Sequence, residues 1–351
     1  MGGRNRMRCH QKIKVLFLTR YDRLRGSSRV RVYDYLPHLS RMGFQCRVLP
    51  FPKRLTTVSK CHYIIQTFRL AYWADVVVLQ KLLLRKRFID MLRRINPRLI
   101  FDFDDALWVP PDIYSHDPKV QAWYKIRTER LHYILSLAKK VITGSHYLAN
   151  YARQFARNVE VIPSSVDLER YSLKPVLNTK RIVLGWIGSP ENLGDLEVIF
   201  PVLRKIAKEK IMIKIVSSRA PQITDIPIQF ERWVVDRDIE YLHSFDIGLM
   251  PLNDTERNRG RCGFKAVQYM AVGLPVIASN VGAAGEAVVH QETGFIASSK
   301  EEWEKYLTLL ISDKELRTRL GKAGRKRVET YFSIQANAPK WAEILQEVVY
   351  S

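Results

Sequence analysis

Short, β-rich and mainly apolar runs recur along this chain in a coarse alternation with longer helical stretches, and this alternation leaves few folds open. In the first half the runs lie at 15–19, 44–49, 76–79, 99–103, 141–143 and 159–162. In the second half they lie at 182–186, 211–216, 228–230, 247–250, 276–278 and 294–296. Helical candidates between them include 30–41, with Val32, Tyr35, Leu36 and Leu39 along one side, then 122–138, 195–209, 238–245, 264–271, 300–311 and 314–331. Strands that are apolar along their whole length and joined by helices belong to parallel sheets covered on both faces. A polar stretch with a proline, 172–180, separates the two sets. The expected class is therefore α/β, with two Rossmann-like, doubly wound domains facing a central cleft, 1–175 and 176–335. A last helix in 336–351 is free to pack back toward the first domain. A chain of 351 residues exceeds what one hydrophobic core usually serves, which agrees with two domains. In such sheets ligands bind beyond the carboxyl ends of the strands.

Charge narrows the partners. Lys and Arg number 57 against 35 Asp and Glu, a net charge of +22, and a field of that size attracts polyanions: nucleic acid, anionic lipid or phosphorylated substrates. Clusters such as 81–87, 93–94, 139–140 and 325–327 are punctuated by apolar residues, so part of the charge is solvated helix surface. No helix-turn-helix, zinc or RNP motif accompanies it, so nucleic acid is not an expected partner. No apolar run approaches the roughly 20 residues of a membrane helix. The run 15–18 behind the basic N-terminus is too short for a signal peptide. The cytoplasm is the expected location, and the charge also allows peripheral attachment to an anionic membrane surface. Cys9, Cys46, Cys61 and Cys262 are widely separated, as free thiols are, and match no zinc spacing.

The most informative segment runs from Arg259 through Gly260, Arg261, Cys262, Gly263, Phe264 and Lys265 to Gln268, Gly273 and Pro275. Two glycines precede a helix there, Gly273 stops it, and Pro275 leads into a buried strand. A helix start of this kind offers free N–H groups and a positive dipole end to a diphosphate. Lys265 lies one turn from Gln268, so both can address one cleft. An ordinary helix with a C-cap glycine and solvated basic residues has the same spacing. The run 185–192 ends a strand at Gly188, where Ser189 can cap a helix and Pro190 fits its first position. Ser28, Arg29 and Arg31 follow the first strand, and their arginines suit a diphosphate or a phosphorylated acceptor. Asp102, Asp104 and Asp105 end another strand, where acids are costly unless they bind or cap something.

The run 263–279, continued through Gly282, Gly285, Glu286 and Thr293 to Phe295, resembles the donor-site signature of glycosyltransferase family 4, the glycosyl transferases group 1. It is similar to a branch in which RGRCGFKAVQYMAVGLPV replaces the usual Glu-x7-Glu motif. The resemblance implies the GT-B fold and retaining transfer of a sugar from a nucleotide-diphosphate-sugar to a hydroxyl acceptor. It implies no cofactor beyond that donor and no metal, with a glycan or lipid-linked acceptor in polysaccharide, lipopolysaccharide or glycolipid synthesis. Carried over residue by residue, it places the donor at Gly188, Ser189, Arg261, Gly263, Phe264, Lys265, Gln268 and Glu286. It places acceptor or phosphate contacts at Ser28, Arg29 and Arg31; near the strand end where the family often has a histidine, Asp104 or Asp105 is the candidate to polarise or deprotonate the acceptor hydroxyl instead. The family's two motif glutamates fall on Gly260 and Gln268, so an amide replaces one carboxylate, and Asp254 or Glu256, a few residues earlier, are the candidate substitutes for the other. The resemblance sets aside Asp102-Phe103-Asp104 as the metal-binding Asp-x-Asp of the GT-A fold. A catalytically weakened protein that binds nucleotide sugar or glycan is the alternative, and a basic nucleic-acid binder a more remote one.

Overall fold

The computed structural model describes residues 12–54, 56–111, 114–175, 181–207, 211–222 and 225–351. Cys9 and positions 176–180 of the expected domain break lie outside the described residues. Strands β1 (Ile13–Thr19), β2 (Phe44–Pro50), β3 (Val76–Gln80), β4 (Leu99–Phe103), β5 (Lys140–Thr143) and β6 (Val159–Val161) form one sheet. Its order is β2-β1-β3-β4-β5-β6, and every pairing is parallel. Strands β7 (Ile182–Ile187), β8 (Ile211–Ser217), β9 (Ile228–Arg232), β10 (Ile247–Met250), β11 (Val276–Ser279) and β12 (Gly294–Ala297) form the second. It runs β12-β11-β10-β7-β8-β9 and is again parallel. β3 is VVVLQ with every residue buried, as expected of a strand with helices on both faces.

Helices α1 (Gly26–Arg31), α2 (Leu36–Arg41), α3 (Thr57–Trp73), α4 (Lys86–Ile95), α5 (Pro118–Leu137) and α6 (His146–Ala152) accompany the first sheet. The single helix expected at 30–41 is broken. Tyr33–Tyr35 is a 3-10 turn, and Pro37 stands at the start of α2, where its missing N–H costs nothing. Neither α3 nor α4 was among the expected helices. α7 (Phe200–Ile206), α8 (Asp238–His243), α9 (Glu256–Arg259), α10 (Phe264–Ala271), α11 (Ala284–Ala287), α12 (Lys300–Ser312) and α13 (Lys314–Arg327) follow, and α14 (Ile334–Tyr350) closes the chain. Of the expected helix 195–209, the first part is 3-10, Pro190–Ile199, and α7 begins only at Phe200.

α14 lies on the first sheet: Trp341 sits edge-on to Phe17 and Tyr35, within a core shared with Val15, Val76 and Val78. The chain therefore passes between the two sheets twice. The two crossings run side by side, joined by Val166 N–H to Phe332 O and Ile334 N–H to Val166 O, each at 2.9 Å. α10 is fixed against the second sheet by Tyr269. Its hydroxyl accepts from Ile187 N–H at 3.2 Å and donates to Leu249 O at 3.1 Å, tying the ends of β7 and β10 to one helix.

Candidate functional site

The carboxyl ends of both sheets open on one cavity of about 970 Å³. Gly188, Ser189, Arg261, Gly263, Phe264, Lys265 and Gln268 line it from the second sheet, and Arg29, Asp104 and Asp105 from the first. This is where open α/β sheets place ligands.

Lys265 dominates the second-sheet wall. Gly263 initiates α10 in a left-handed conformation, φ +64°, and a Cβ on it would come within 3.0 Å of Ala283 O. The turn thus aims the first N–H groups of α10 into the cavity. The Lys265 ammonium lies 4.5 Å from the centre of the buried Trp186 ring, and no carboxylate among the described residues pairs with it. Burial and the neighbouring Arg261 pull its pKa down to about 7, against a weaker pull upward from Asp195. Arg261 differs: it donates to Asp195 at 2.8 Å and to Asn192 Oδ1 at 2.7 Å. A side chain at Gly188 would collide with Trp186 and with the Lys265 stem at 2.9 Å, so that glycine keeps the lysine in place. Gln268 is buried and donates to the Tyr171 hydroxyl at 2.8 Å. Ser189 occupies the expected cap position, but its side chain makes no cap bond.

On the first-sheet wall the buried charges are compensated, and Arg25 stands exposed at the rim. Lys81, with φ +59°, reaches back to Asp104 at 2.9 Å and to Asp105. Ser27 Oγ donates to both Asp104 oxygens, at 2.8 and 2.9 Å. Burial pushes Asp104 upward, but Lys81 and Arg31 outweigh it and hold the carboxyl below its ordinary range. A carboxylate so stabilised can orient a hydroxyl; as a base it is poorly matched to neutral pH. Burial opposes the charge on Lys81, and Asp104 and Asp105 more than restore it. Lys81 was expected only as surface charge. Its position directly after β3, at the carboxyl edge of the sheet, is the signal that marks it.

Two of the expected phosphate contacts are corrected. Arg31 is 1% exposed, pairs with Asp102 on β4 and donates to Ile162 O, so its charge is spent inside the first domain. Ser28 is buried, donates to Gln80 Oε1 at 2.7 Å and accepts from Tyr21 N–H. Arg29 does border the cavity, but it spans it: its guanidinium is 2.9 Å from Asp238, which also accepts from Trp233 Nε1. Glu286 is outside the lining. Both its oxygens accept from His146 N–H, at 3.1 and 3.2 Å, at the start of α6. It is a contact between the halves, as is Trp108 Nε1 to Glu256 at 2.7 Å. At Gly260, a Cβ would lie 2.5 Å from Ala106 Cβ and 2.8 Å from Ala106 N, so no carboxylate fits there with the halves in this arrangement. Cys262 Sγ, buried next to it, donates to Asp104 O at 3.0 Å. Among the described residues no group of three or more His, Cys, Asp or Glu is placed to hold a metal ion.

The family model described as Glycosyl transferases group 1 matches residues 233–327, which include α10, Gly263 and Lys265. Over 104 residues the chain is 36% identical to the capsular polysaccharide biosynthesis glycosyltransferase CapM of Staphylococcus aureus, a match covering 29% of this chain and 26% of that protein. Over 123 residues it is 28% identical to spore coat protein SA of Bacillus subtilis, covering 34% of this chain and 32% of that protein. The chain thus spans about a third or less of these curated relatives. Whole-chain likeness is to solved structures. Sucrose-phosphate synthase from Thermosynechococcus elongatus superposes with a TM-score of 0.74 at 16% identity, covering 96% of this chain and 99% of that one. HepE from Anabaena, solved in complex with UDP and glucose, superposes at 0.72 with 15% identity, covering 96% and 100%. The fold is GT-B, with two Rossmann-like sheets, and the resemblance to the glycosyl transferases group 1 holds over 233–327.

Proposed function

We propose that this chain is a glycosyltransferase, hexosyltransferase-like, that moves a sugar from a nucleotide-diphosphate-sugar to a hydroxyl acceptor with retention of configuration, without a metal or other cofactor. Residues 176–335 act as the donor domain and 1–175 as the acceptor domain. The observation that carries the reading is Lys265: a half-buried cation left without a counter-charge, at the start of a helix, facing the cavity. A diphosphate supplies the missing charge. As the bond between sugar and phosphate breaks, negative charge grows on the departing diphosphate, and a pre-placed ammonium and helix-end N–H groups stabilise it where it forms. Gln268 is offered to the ribose, and Gly188 and Ser189 to the remainder of the nucleotide. Asp104 and Asp105, both paired with Lys81, orient the acceptor hydroxyl.

The relative named for capsular polysaccharide biosynthesis, and HepE with bound UDP and glucose, support a nucleotide-sugar donor and a glycan or lipid-linked acceptor in envelope polysaccharide, lipopolysaccharide or glycolipid synthesis. No helix among the described residues is long and apolar enough to cross a membrane. With the charge of +22, the reading is of a cytoplasmic protein attached peripherally to the inner face of an anionic membrane.

The test is a thermal-shift screen against UDP-, GDP- and ADP-sugars, since a ligand that binds the native state raises Tm by mass action. One class is expected to shift the wild type and to lose that shift in Lys265→Met. No shift from any of them, with no hydrolysis or transfer, sinks the proposal. A second reading is favoured by Gly260, where no carboxylate fits: a protein that binds the donor but turns it over poorly. Donor-induced stabilisation without transfer or hydrolysis would select it.

A further inference from the structure

α3 is apolar on two opposite sides. Tyr63, Thr67, Leu70 and Ala71 face the first sheet and are buried. On the other side Val58, Ile65 and Tyr72 are 78%, 64% and 85% exposed. Their spacing of seven sets them in one line along the helix. Single exposed apolar residues need no explanation, but a line of them on a helix is a surface.

The line continues onto the neighbouring helix. Phe68 of α3 stacks on Phe88 of α4 at 5.1 Å, and α4 exposes Met91 and Ile95. Exposed basic residues adjoin this face, Arg69 on α3 and Arg85, Arg87 and Arg94 at α4. From 51 to 95 there are ten Lys and Arg and two Asp. Both acids are engaged, Asp75 accepting from Lys14 N–H and Asp90 from the Tyr133 hydroxyl.

We propose that this face of α3 and α4 docks on an anionic lipid surface. Its apolar line enters the headgroup region and its arginines meet lipid phosphates, as an interfacial helix does. A helix of 17 residues, about 25 Å long, lies along such a surface. The arrangement also fixes where the cavity opens. The segment before α3 is bound to the loop after β1 through Phe51 N–H to Thr19 O at 2.8 Å, Arg20 over the Phe51 ring and the Lys53–Asp22 pair. Tyr21 and Leu24 of that loop line the cavity. With α3 on the membrane, the rim of the cavity lies beside the headgroups, where a lipid-linked hydroxyl can enter. That last step rests on the proposed acceptor; the docking itself does not.

Flotation of the full chain with vesicles tests it. Phosphatidylglycerol–phosphatidylcholine vesicles are expected to carry at least tenfold more protein than phosphatidylcholine alone, and high salt to reduce the difference. Ile65→Glu combined with Tyr72→Glu should lower that binding at least tenfold while leaving Tm and the nucleotide-sugar shift unchanged. Arg85→Gln with Arg87→Gln should weaken it less. Equal binding to both vesicle types, or full binding by the double glutamate variant, overturns the proposal, as does self-association without vesicles that the same variant abolishes. Loss of the nucleotide-sugar shift with vesicle binding intact would count against the transferase reading alone.

Discussion

The two walls of the cavity treat charge in opposite ways. On the first-sheet side the inner cations have partners: Arg31 behind the wall with Asp102, Lys81 with Asp104 and Asp105, and Arg29 with Asp238 across the gap, while Arg25 stands exposed at the rim. On the second-sheet wall Arg261 is paired, whereas Lys265 at the helix start and Arg257 have no ion pair among the described residues. Buried charge is costly unless compensated. A compensated cation holds the protein together, whereas an uncompensated one waits for something that arrives from outside. The contrast separates residues of one type, in one cavity, into scaffold and ligand contact, which residue identity does not.

The most severe way to break this contrast is Arg31→Met. It strands Asp102 in the core, and removing one partner of a buried pair costs roughly 3–5 kcal/mol. Chemical denaturation should register that loss; a change under about 1 kcal/mol would mean the pair is not the scaffold element described. Lys265→Met should move stability the other way. The lysine is depressed to about 7 in the folded state from 10.5, so the folded form binds fewer protons than the unfolded chain between those values. Wild-type stability therefore rises with pH across that window. The penalty is fully present below about 7 and relieved toward 10.5. The variant should be more stable by roughly 1–3 kcal/mol at pH 7, with the gain shrinking at higher pH. Its donor affinity should fall about 10- to 100-fold, the scale of a hydrogen bond between charged groups. In the wild type a bound diphosphate favours the ammonium form, so affinity should decline as pH rises above about 7, with proton uptake measurable by titration in buffers of different ionisation enthalpy. Gly260→Ala gives the smallest effect. It pushes Ala106 away and should cost roughly 1–2 kcal/mol, read as a lower Tm together with weaker turnover.

Much of the fold was visible in the residues because parallel strands buried on both faces are mainly apolar runs: all twelve expected strands are present, with ends that differ by at most two residues. Helices were harder where the pattern was not one-sided. α3 lacks a polar face because Val58, Ile65 and Tyr72 point outward, so its periodicity carries no sign of burial. At 30–41 and 195–209 a proline within the apolar pattern divided what looked continuous. In the site, Lys265 and Gly263 stood out because a helix start, a glycine and a cation are local in sequence. The pairing of Arg31 with Asp102, 71 residues away, is a product of sheet order and had no local trace. Lys81 was hidden among the charges of 81–87.

The paired crossings at Val166 and Phe332–Ile334 bear on how a substrate gets in. Two covalent strands that hydrogen-bond to each other form a hinge with two pins, which resists twisting and sliding and leaves bending about one axis. Ser164, two residues from the bridge, lines the cavity, so this axis passes close to the site. Opening would then part the rims at Trp108–Glu256 and His146–Glu286 while Lys265 and Asp104 swing apart as fixed arms. The start of α14 supplies the second pin, and a chain shortened before Ile334 would lose both that pin and the cover on its first sheet.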